Sequence, residues 1–524
     1  MALKHRIARF AASNHRWLAR AGAASLLIWG LSALAHIAMV LGGPQQAVFM
    51  PPRAPLDLAG ARPVAATLAA AGIDRAAVVR TVAGPSGTLW QVTTAPAAPR
   101  RYFDPRTGAE LRGHDRAQAI FIARHFLGER RPVADIALQN GFDGDYPWVN
   151  RLLPVWRIRF AGDDRLTAYV HTETSSLAAV NNRTKTALQA VFRLLHNWDW
   201  VPPGLSVVRV AVITVLVGGL VVLAVTGMAM LATVRRGKRP PGARGWHRQM
   251  AWLLALPLFL FAASGIWHLL TGAIAPPASQ MRLAPPVQLA GSRFPVEAEW
   301  RALTAGRTVD HVSLVEGPGG RALYRLGLAR DASAQSGGEH DHGGHARAEA
   351  TPALPRTAAE IRAARFDGVQ PTGPALYIDA ASGKPWADGD RALARMIAGR
   401  FSGAPDSAIT GMRLITRFGP DYDFRNKRLP VWRVDYGAPV HATLFIDTAT
   451  GALADRVADW QKPERLAFSL AHKWNFLFPL GRTAMNVIVG LVVLLLIAGL
   501  AVPGLILDRK ARAAARNRAA AGRR

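Results

Sequence analysis

The sequence predicts a membrane α-helical fold: a four-transmembrane-helix bundle with two α+β domains outside the membrane, the whole internally duplicated. Three observations predict it. Long uncharged apolar runs occur four times in the 524 residues, basic clusters flank them, and the same residue types recur at fixed spacing in the two halves.

A helix needs about 20 mostly apolar residues to cross a bilayer. Ala21–Pro52, Val210–Val234, Gln249–Met281 and Thr483–Leu507 each exceed that length without one Lys, Arg, Asp or Glu. The predicted spans are 21–42, 205–234, 250–274 and 483–507. Gly42-Gly43-Pro44 closes the first, and Pro276-Pro277 follows the third.

The net charge of +29 raises the possibility of nucleic-acid binding, so its placement matters. Residues 1–20 hold five Lys/Arg, 232–249 hold six, and 508–524 hold seven against one acid, so +17 of the charge sits beside the apolar runs. Positively charged loops stay in the cytoplasm. Residues 1–20, 235–249 and 508–524 therefore read as cytoplasmic, with 43–204 and 275–482 as periplasmic domains. This distribution argues against a nucleic-acid partner and for the lipid bilayer. The chain has no cysteine, which excludes disulfides, thiolate metal sites and haem attachment through Cys-x-x-Cys-His. Residues 1–35 also have the form of a signal peptide, ending in Ala33-Leu34-Ala35. The internal match between spans one and three favours a retained helix.

That match is detailed. His15 and His36 lie 21 residues apart at the ends of span one, and His247 and His268 lie 21 apart at the ends of span three, an offset of 232. Tyr102-x-Asp104-x-x-Thr107-Gly108 recurs as Tyr377-x-Asp379-x-x-Ser382-Gly383, and Asp115-Arg116-Ala117 as Asp390-Arg391-Ala392, at offset 275. Leu153-Pro154-Val155-Trp156-Arg157 recurs as Leu429-Pro430-Val431-Trp432-Arg433, and Leu195-His196-Asn197-Trp198 as Ala471-His472-Lys473-Trp474, at offset 276. The growth in offset places about 43 extra residues before Tyr377. They include a Gly- and His-rich insertion at 335–350, which reads as a polar loop.

Each outer segment shows short alternating strands, such as Ala168–Val170 and Thr443–Asp447, and Asp-x-x-Thr/Ser-Gly turns. A helix is expected at 115–127 and 390–401, with Asp115 and Asp390 placed to cap it. A final amphipathic helix (184–198, 460–475) leads back to the membrane in each half.

These motifs together resemble the PepSY-associated transmembrane family, often described as iron-regulated membrane proteins. The residues that carry the resemblance are Asn14-His15-Arg16-Trp17 and Trp246-His247-Arg248 entering spans, the Tyr-x-Asp-x-x-Thr/Ser-Gly and Leu-Pro-Val-Trp-Arg repeats, and Leu195-His196-Asn197-Trp198-Asp199. The second copy departs from the last motif at Ala471 and Asn475. The resemblance implies two periplasmic PepSY-like folds on a helical bundle in a bacterial inner membrane. Some members are haem-containing reductases that release iron from siderophores. It thus implies haem b, a ferric-siderophore or other periplasmic iron complex as substrate, and a cytoplasmic or quinone electron donor. Other members have no assigned activity, so a non-enzymatic module that binds a periplasmic protein or peptide is the alternative.

Histidine inside a span is costly without a partner and is read first as functional. His36 and His268 lie near the outer ends of their helices, His15 and His247 near the inner ends, about 31 Å away at 1.5 Å per residue. His196 and His472 enter spans two and four. Axial imidazoles from facing helices are what haem iron takes. The expected ligand set is His36, His268, His196 and His472 on the outer side, with His15 facing His247 on the inner side. The sequence leaves the outer pairing open. Interfacial anchoring beside Trp17, Trp198, Trp246 and Trp474 is the competing explanation. His340, His342 and His345 in the insertion form a further candidate metal site, weighed against a solvated loop. His114, His125, His171, His311 and His441 have no repeat partner and read as surface or packing residues. Trp156 and Trp432 read as core, with Arg157 and Arg433 as candidates to meet an anionic substrate. No catalytic triad, P-loop, His-Glu-x-x-His or dinucleotide fingerprint occurs.

Overall fold

The structure, a computed structural model, describes residues 2–521 apart from 55, 234–240, 276–280, 293–296, 330–370, 372 and 420–421. The insertion at 335–350 with His340, His342 and His345 lies outside the described residues. The chain divides into a helical unit (Met1–Gly43, Arg183–Ala278, Trp460–Arg524) and a sheet unit (Pro44–Asn182, Ser279–Asp459).

In the helical unit, numbered in chain order, are α1 (Ala2–Gly42), α4 (Arg183–Phe192), α5 (Ser206–Thr233), α6 (Gly242–Ile274), α9 (Lys462–Ala467), α10 (Arg482–Leu496) and α11 (Val502–Ala521). Helix α1, helix α5 with its lead-in turn, helix α6, and α10 with α11 give four helices long and apolar enough to cross a membrane, as a multi-pass membrane protein requires. Leu26, Ile213, Leu220, Leu254, Leu258 and Leu496 are buried between them. Val208, Val215, Trp252, Leu256 and Leu491 stay exposed on the outer faces. Helices apolar inside and out suit a hydrocarbon solvent, where each backbone must satisfy its own hydrogen bonds. Pro257 removes one rung from α6.

The lead-in helices end alike. A π-turn at Arg193–Asn197 follows α4, and one at Phe468–His472 follows α9. Residues 183–204 and 460–482, expected at the ends of the outer domains, belong to the helical unit because α4 packs on α1 and α9 on α6.

The sheet unit contains helices α2 (Val64–Ala70), α3 (His114–Leu127), α7 (Glu297–Thr304) and α8 (Gly389–Ser402). Strands β5 (Val133–Gln139), β6 (Val155–Phe160), β7 (Thr167–His171) and β8 (Ser176–Asn181) form an antiparallel sheet in sequential order. Strands β13 (Ile409–Ile415), β14 (Val431–Tyr436), β15 (Ala442–Asp447) and β16 (Ala452–Ala458) form another of the same order. Helix α3 packs on the first and α8 on the second. A six-stranded sheet takes β2 (Val78–Gly84), β3 (Gly87–Thr93) and β4 (Arg101–Phe103) from one half, and β10 (Val309–Glu316), β11 (Ala322–Leu328) and β12 (Leu376–Asp379) from the other. Its order is β12-β11-β10-β2-β3-β4, and the halves join where Arg80 pairs with Ser313 and Val79 with Leu314. Short strands β1 (Arg75–Ala76) and β9 (Val287–Gln288) add a second cross-half pair.

Two expectations need correction. Asp115 and Asp390 do not cap their helices; the N-cap positions are Gly113 and Asp388, without a side-chain cap. Each Asp is buried instead. Asp115 accepts from the Tyr102 hydroxyl at 2.8 Å and the Trp156 indole at 2.7 Å; Asp390 accepts from Tyr377 at 2.5 Å and Trp432 at 2.6 Å. One tyrosine from the turn motif and one tryptophan from Leu-Pro-Val-Trp-Arg thus meet on one helix carboxylate in each half. Nor does β15 alternate in burial: Leu444 and Ile446 pack towards α8 while Phe445 packs with Tyr422 and Val431. The predicted Asx turns are present, with Asp104 and Asp379 each accepting two backbone N–H bonds.

The halves are also joined by charge. Arg428 binds Glu173 through both guanidinium nitrogens and Asp447 at 2.9 Å, and Arg151 binds Asn426 at 2.7 Å and Asp455 at 3.1 Å. Arg157 and Arg433 pair with Asp135 and Asp435 on their own sheets.

Candidate functional site

The helical unit gathers the six repeat histidines into two groups. At one end, the rings of His15 (α1) and His247 (α6) have centroids 6.2 Å apart and planes at 69°. At the other, His196 and His472, both in the π-turns, have centroids 6.4 Å apart and planes at 78°. Two imidazoles that share one metal at about 2 Å each have ring centroids about 6 Å apart once the ring radii are added. Both pairs have that separation.

The hydrogen bonds decide which ring nitrogen is free. The Thr226 hydroxyl donates to Val222 O at 2.7 Å and stands 3.2 Å from His15 Nδ1. Ser32 donates to Trp29 O at 2.9 Å and stands 2.9 Å from His196 Nδ1. Ser264 donates to Leu260 O at 2.5 Å and stands 3.4 Å from His472 Nδ1, which also bonds the Phe261 carbonyl at 3.1 Å. Each hydroxyl spends its one proton on its own helix, so it accepts from Nδ1–H. That assignment puts the neutral ring's lone pair on Nε2, the atom left able to ligate a metal, with Nδ1 held as it is in metal-bound histidine generally. The second half has Pro503 where the first has Thr226, so His247 has no equivalent hydroxyl.

Small residues flank these rings. A Cβ on Gly265 would stand 3.3 Å from His472 Cε1, one on Gly227 3.7 Å from His15 Cε1, and one on Gly504 4.0 Å from His247 Cε1. Paired imidazoles with glycine at the ring edge would suit a haem, and His15, His247, His196 and His472 are the residues that would hold its iron. Among the described residues no group of three or more His, Asp or Glu forms a closed metal site.

His36 and His268 do not pair with one another. His36 lies 4.9 Å from the Phe192 ring, and Phe192 stacks on His196 at 4.6 Å. His268 stacks on Phe468 at 3.8 Å, and Phe468 on His472 at 4.7 Å. The rings follow one another from His36 through Phe192, His196, His472 and Phe468 to His268. His268 Nδ1 also bonds Glu464 at 2.7 Å; the matching residue beside His36 is Leu188.

The π-turns that carry His196 and His472 are fixed by their tryptophans. Trp198 and Trp474 adopt left-handed backbone, at φ 55° and 54°, a strain of about 1–3 kcal/mol for a bulky residue. Each indole N–H caps its own turn, on Leu195 O and Ala471 O, and each ring stacks across to span one or three, on Trp29 and Phe261. Where the first half has the Arg193–Asp199 ion pair, the second has Asn475 bonded to Ser469. The departure from the first-half motif at Asn475 is thus matched by a partner change.

Sequence reasoning missed Ser32 and Ser264, Phe192 and Phe468, and Gly227 and Gly504. Each pair lies at the repeat offset or one residue from it (232, 276 and 277), so extending the self-comparison through the apolar runs would have found them.

Fold and geometry define a multi-pass membrane protein with two close imidazole pairs in its helical unit. Compared with protein-family models, the chain has no match, and none of the curated proteins matches it.

Proposed function

We propose that this protein is a membrane electron-transfer protein that binds haem b at His15/His247 and at His196/His472, and reduces a ferric iron complex, siderophore-bound, on the outer side of a bacterial inner membrane. The observation that supports it most is the two pairs of imidazole rings at 6.2 and 6.4 Å, three of the four rings with Nδ1 beside a hydroxyl. When bound, haem supplies one-electron redox chemistry. The chain's own residues hold the imidazoles in one tautomer and keep their surroundings apolar. From His15 to Ser32, which bonds His196, is 17 residues of α1, about 26 Å at 1.5 Å per residue.

In this reading the chain is a member of the PepSY-associated transmembrane family, with both termini cytoplasmic, the sheet unit as paired periplasmic PepSY-like folds, and a cytoplasmic or quinone donor. The basic clusters support that orientation. The test is the visible spectrum of the detergent-solubilised protein. A Soret band that shifts on dithionite reduction, and reoxidises on adding a ferric siderophore, is expected. A colourless protein that takes up no haem when supplied with it would overturn the reading and leave a non-enzymatic binding module.

A further inference from the structure

The sheet unit has a half-open cavity of about 270 Å³ lined by strands of its two halves, a volume equal to roughly nine waters at about 30 Å³ each. Its lining holds five Lys or Arg and three Asp. The three acids are taken: Asp310 by Arg53 at 3.5 Å, Asp390 by Arg325 and its tyrosine and tryptophan donors, Asp447 by Arg428. Arg80, on β2, is different. Its Nε donates to Gln91 Oε1 at 3.1 Å and its NH2 group to Ser175 Oγ at 2.8 Å, both neutral. Among the described residues it has no carboxylate within ion-pair distance. Glu173 acts on it at longer range, and that carboxylate is already held by both guanidinium nitrogens of Arg428. Burial holds the Arg80 guanidinium below its ordinary range.

A half-buried cation whose nearby carboxylates, Glu173 and Asp447, are both held by another arginine is left under-compensated, which is costly. Further groups at the cavity can donate. Arg325 donates to His311 Nε2 at 3.1 Å, which places the His311 proton on Nδ1. The His311 ring lies so close to β11 that a Cβ on Gly327 would stand 2.0 Å from it, so only glycine there lets the ring take this place beside the cavity. The Ser175 hydroxyl accepts from Arg80 and keeps its own proton to give. Lys427 lines the same space.

We infer that this cavity is a binding site for a small oxyanion, carboxylate or phosphate, with Arg80 as its charge partner and His311 and Ser175 as further donors. The site lies wholly in the sheet unit and stands whether or not the helical unit binds haem.

The test is isothermal titration of the solubilised full chain with citrate and, separately, inorganic phosphate; the two arms separate carboxylate from phosphate chemistry. Saturable binding of at least one is expected, weakened tenfold or more in Arg80→Gln and less in Arg80→Lys, which keeps the charge and loses the fork. Absence of saturable binding of both probes at millimolar concentration overturns the inference, as does undiminished binding by Arg80→Gln. If Arg80→Gln does not fold, Ser175→Ala decides: several-fold weaker binding supports the site, and unchanged binding overturns it.

Discussion

Ser32 and His196, 164 residues apart in sequence, are joined by a 2.9 Å hydrogen bond from Nδ1 to the serine oxygen, and Ser264 and His472 repeat the relationship at 3.4 Å. These bonds fix one nitrogen of each ring in a pair whose centroids lie 6.4 Å apart. The same logic, with Thr226, holds His15 against His247.

Two independent imidazole pairs predict two independent haem losses. His472→Ala should remove about half of the bound haem and His247→Ala the other half, with none left in the double variant. His36→Ala and His268→Ala should keep the full complement, since Phe192 and Phe468 stand between them and the His196/His472 pair. Haem per protein, measured as the pyridine haemochrome, decides. Full haem in His472→Ala would disprove the pairing.

The serines should matter unequally. Removing an outer-shell partner of a metal-bound histidine typically lowers metal affinity about 10–100-fold. Ser32→Ala leaves His196 Nδ1 without its hydroxyl and should fall in that range when haem is titrated into the stripped protein. Ser264→Ala should cost less, because the Phe261 carbonyl remains 3.1 Å from His472 Nδ1. Equal losses would mean that the hydroxyls do not orient the rings.

The apolar runs were legible because a bilayer imposes length and composition on any helix that crosses it. The six histidines were legible from the repeat, as was the facing of His15 and His247. The pairing of His196 with His472 was not, because it depends on π-turns ended by left-handed Trp198 and Trp474, and tryptophan carries no signal for that backbone. Ser32 and Ser264 passed as small residues in apolar helices, each hydroxyl donating to its own helix; their second partner, an imidazole, comes from a π-turn distant in sequence. The β2–β10 pairing joins residues more than 230 apart, beyond the reach of local pattern. Asp115 and Asp390 stand in the first turn of a helix, where a cap is the local expectation, and tertiary donors claim them instead.

Those two carboxylates should differ in weight. Asp115→Ala strands the Tyr102 hydroxyl and Trp156 indole, a loss of about 1–3 kcal/mol for groups left unsatisfied. Asp390→Ala strands Tyr377, Trp432 and the Thr448 hydroxyl, and also leaves the buried Arg325 without its carboxylate at 3.4 Å. Breaking a buried ion pair costs about 3–5 kcal/mol, so Asp390→Ala should melt at a clearly lower temperature than Asp115→Ala. Matching melting curves would show that Arg325 draws no stability from Asp390.

Acid should loosen the sheet unit in two stages. Burial holds the His171 and His311 imidazoles down to about 3, against about 6.5 for an unfolded histidine. As pH falls below about 6.5 the unfolded chain takes these protons and the folded chain does not. Stability therefore declines from there to about pH 3. Glu173 adds a second stage. Burial alone would raise its carboxyl, but the charges of Arg428 and Arg80 outweigh that and bring it to about 2. The unfolded carboxyl titrates near 4.3, so the stability this group contributes is complete above that pH and is lost as pH falls from there towards 2. Above pH 7 none of the three contributes a slope. Melting temperatures between pH 7 and pH 5 should fall in the wild type and fall less in His171→Gln, which removes one of the two buried imidazoles. An identical slope in both proteins would show that His171 is not held neutral by burial.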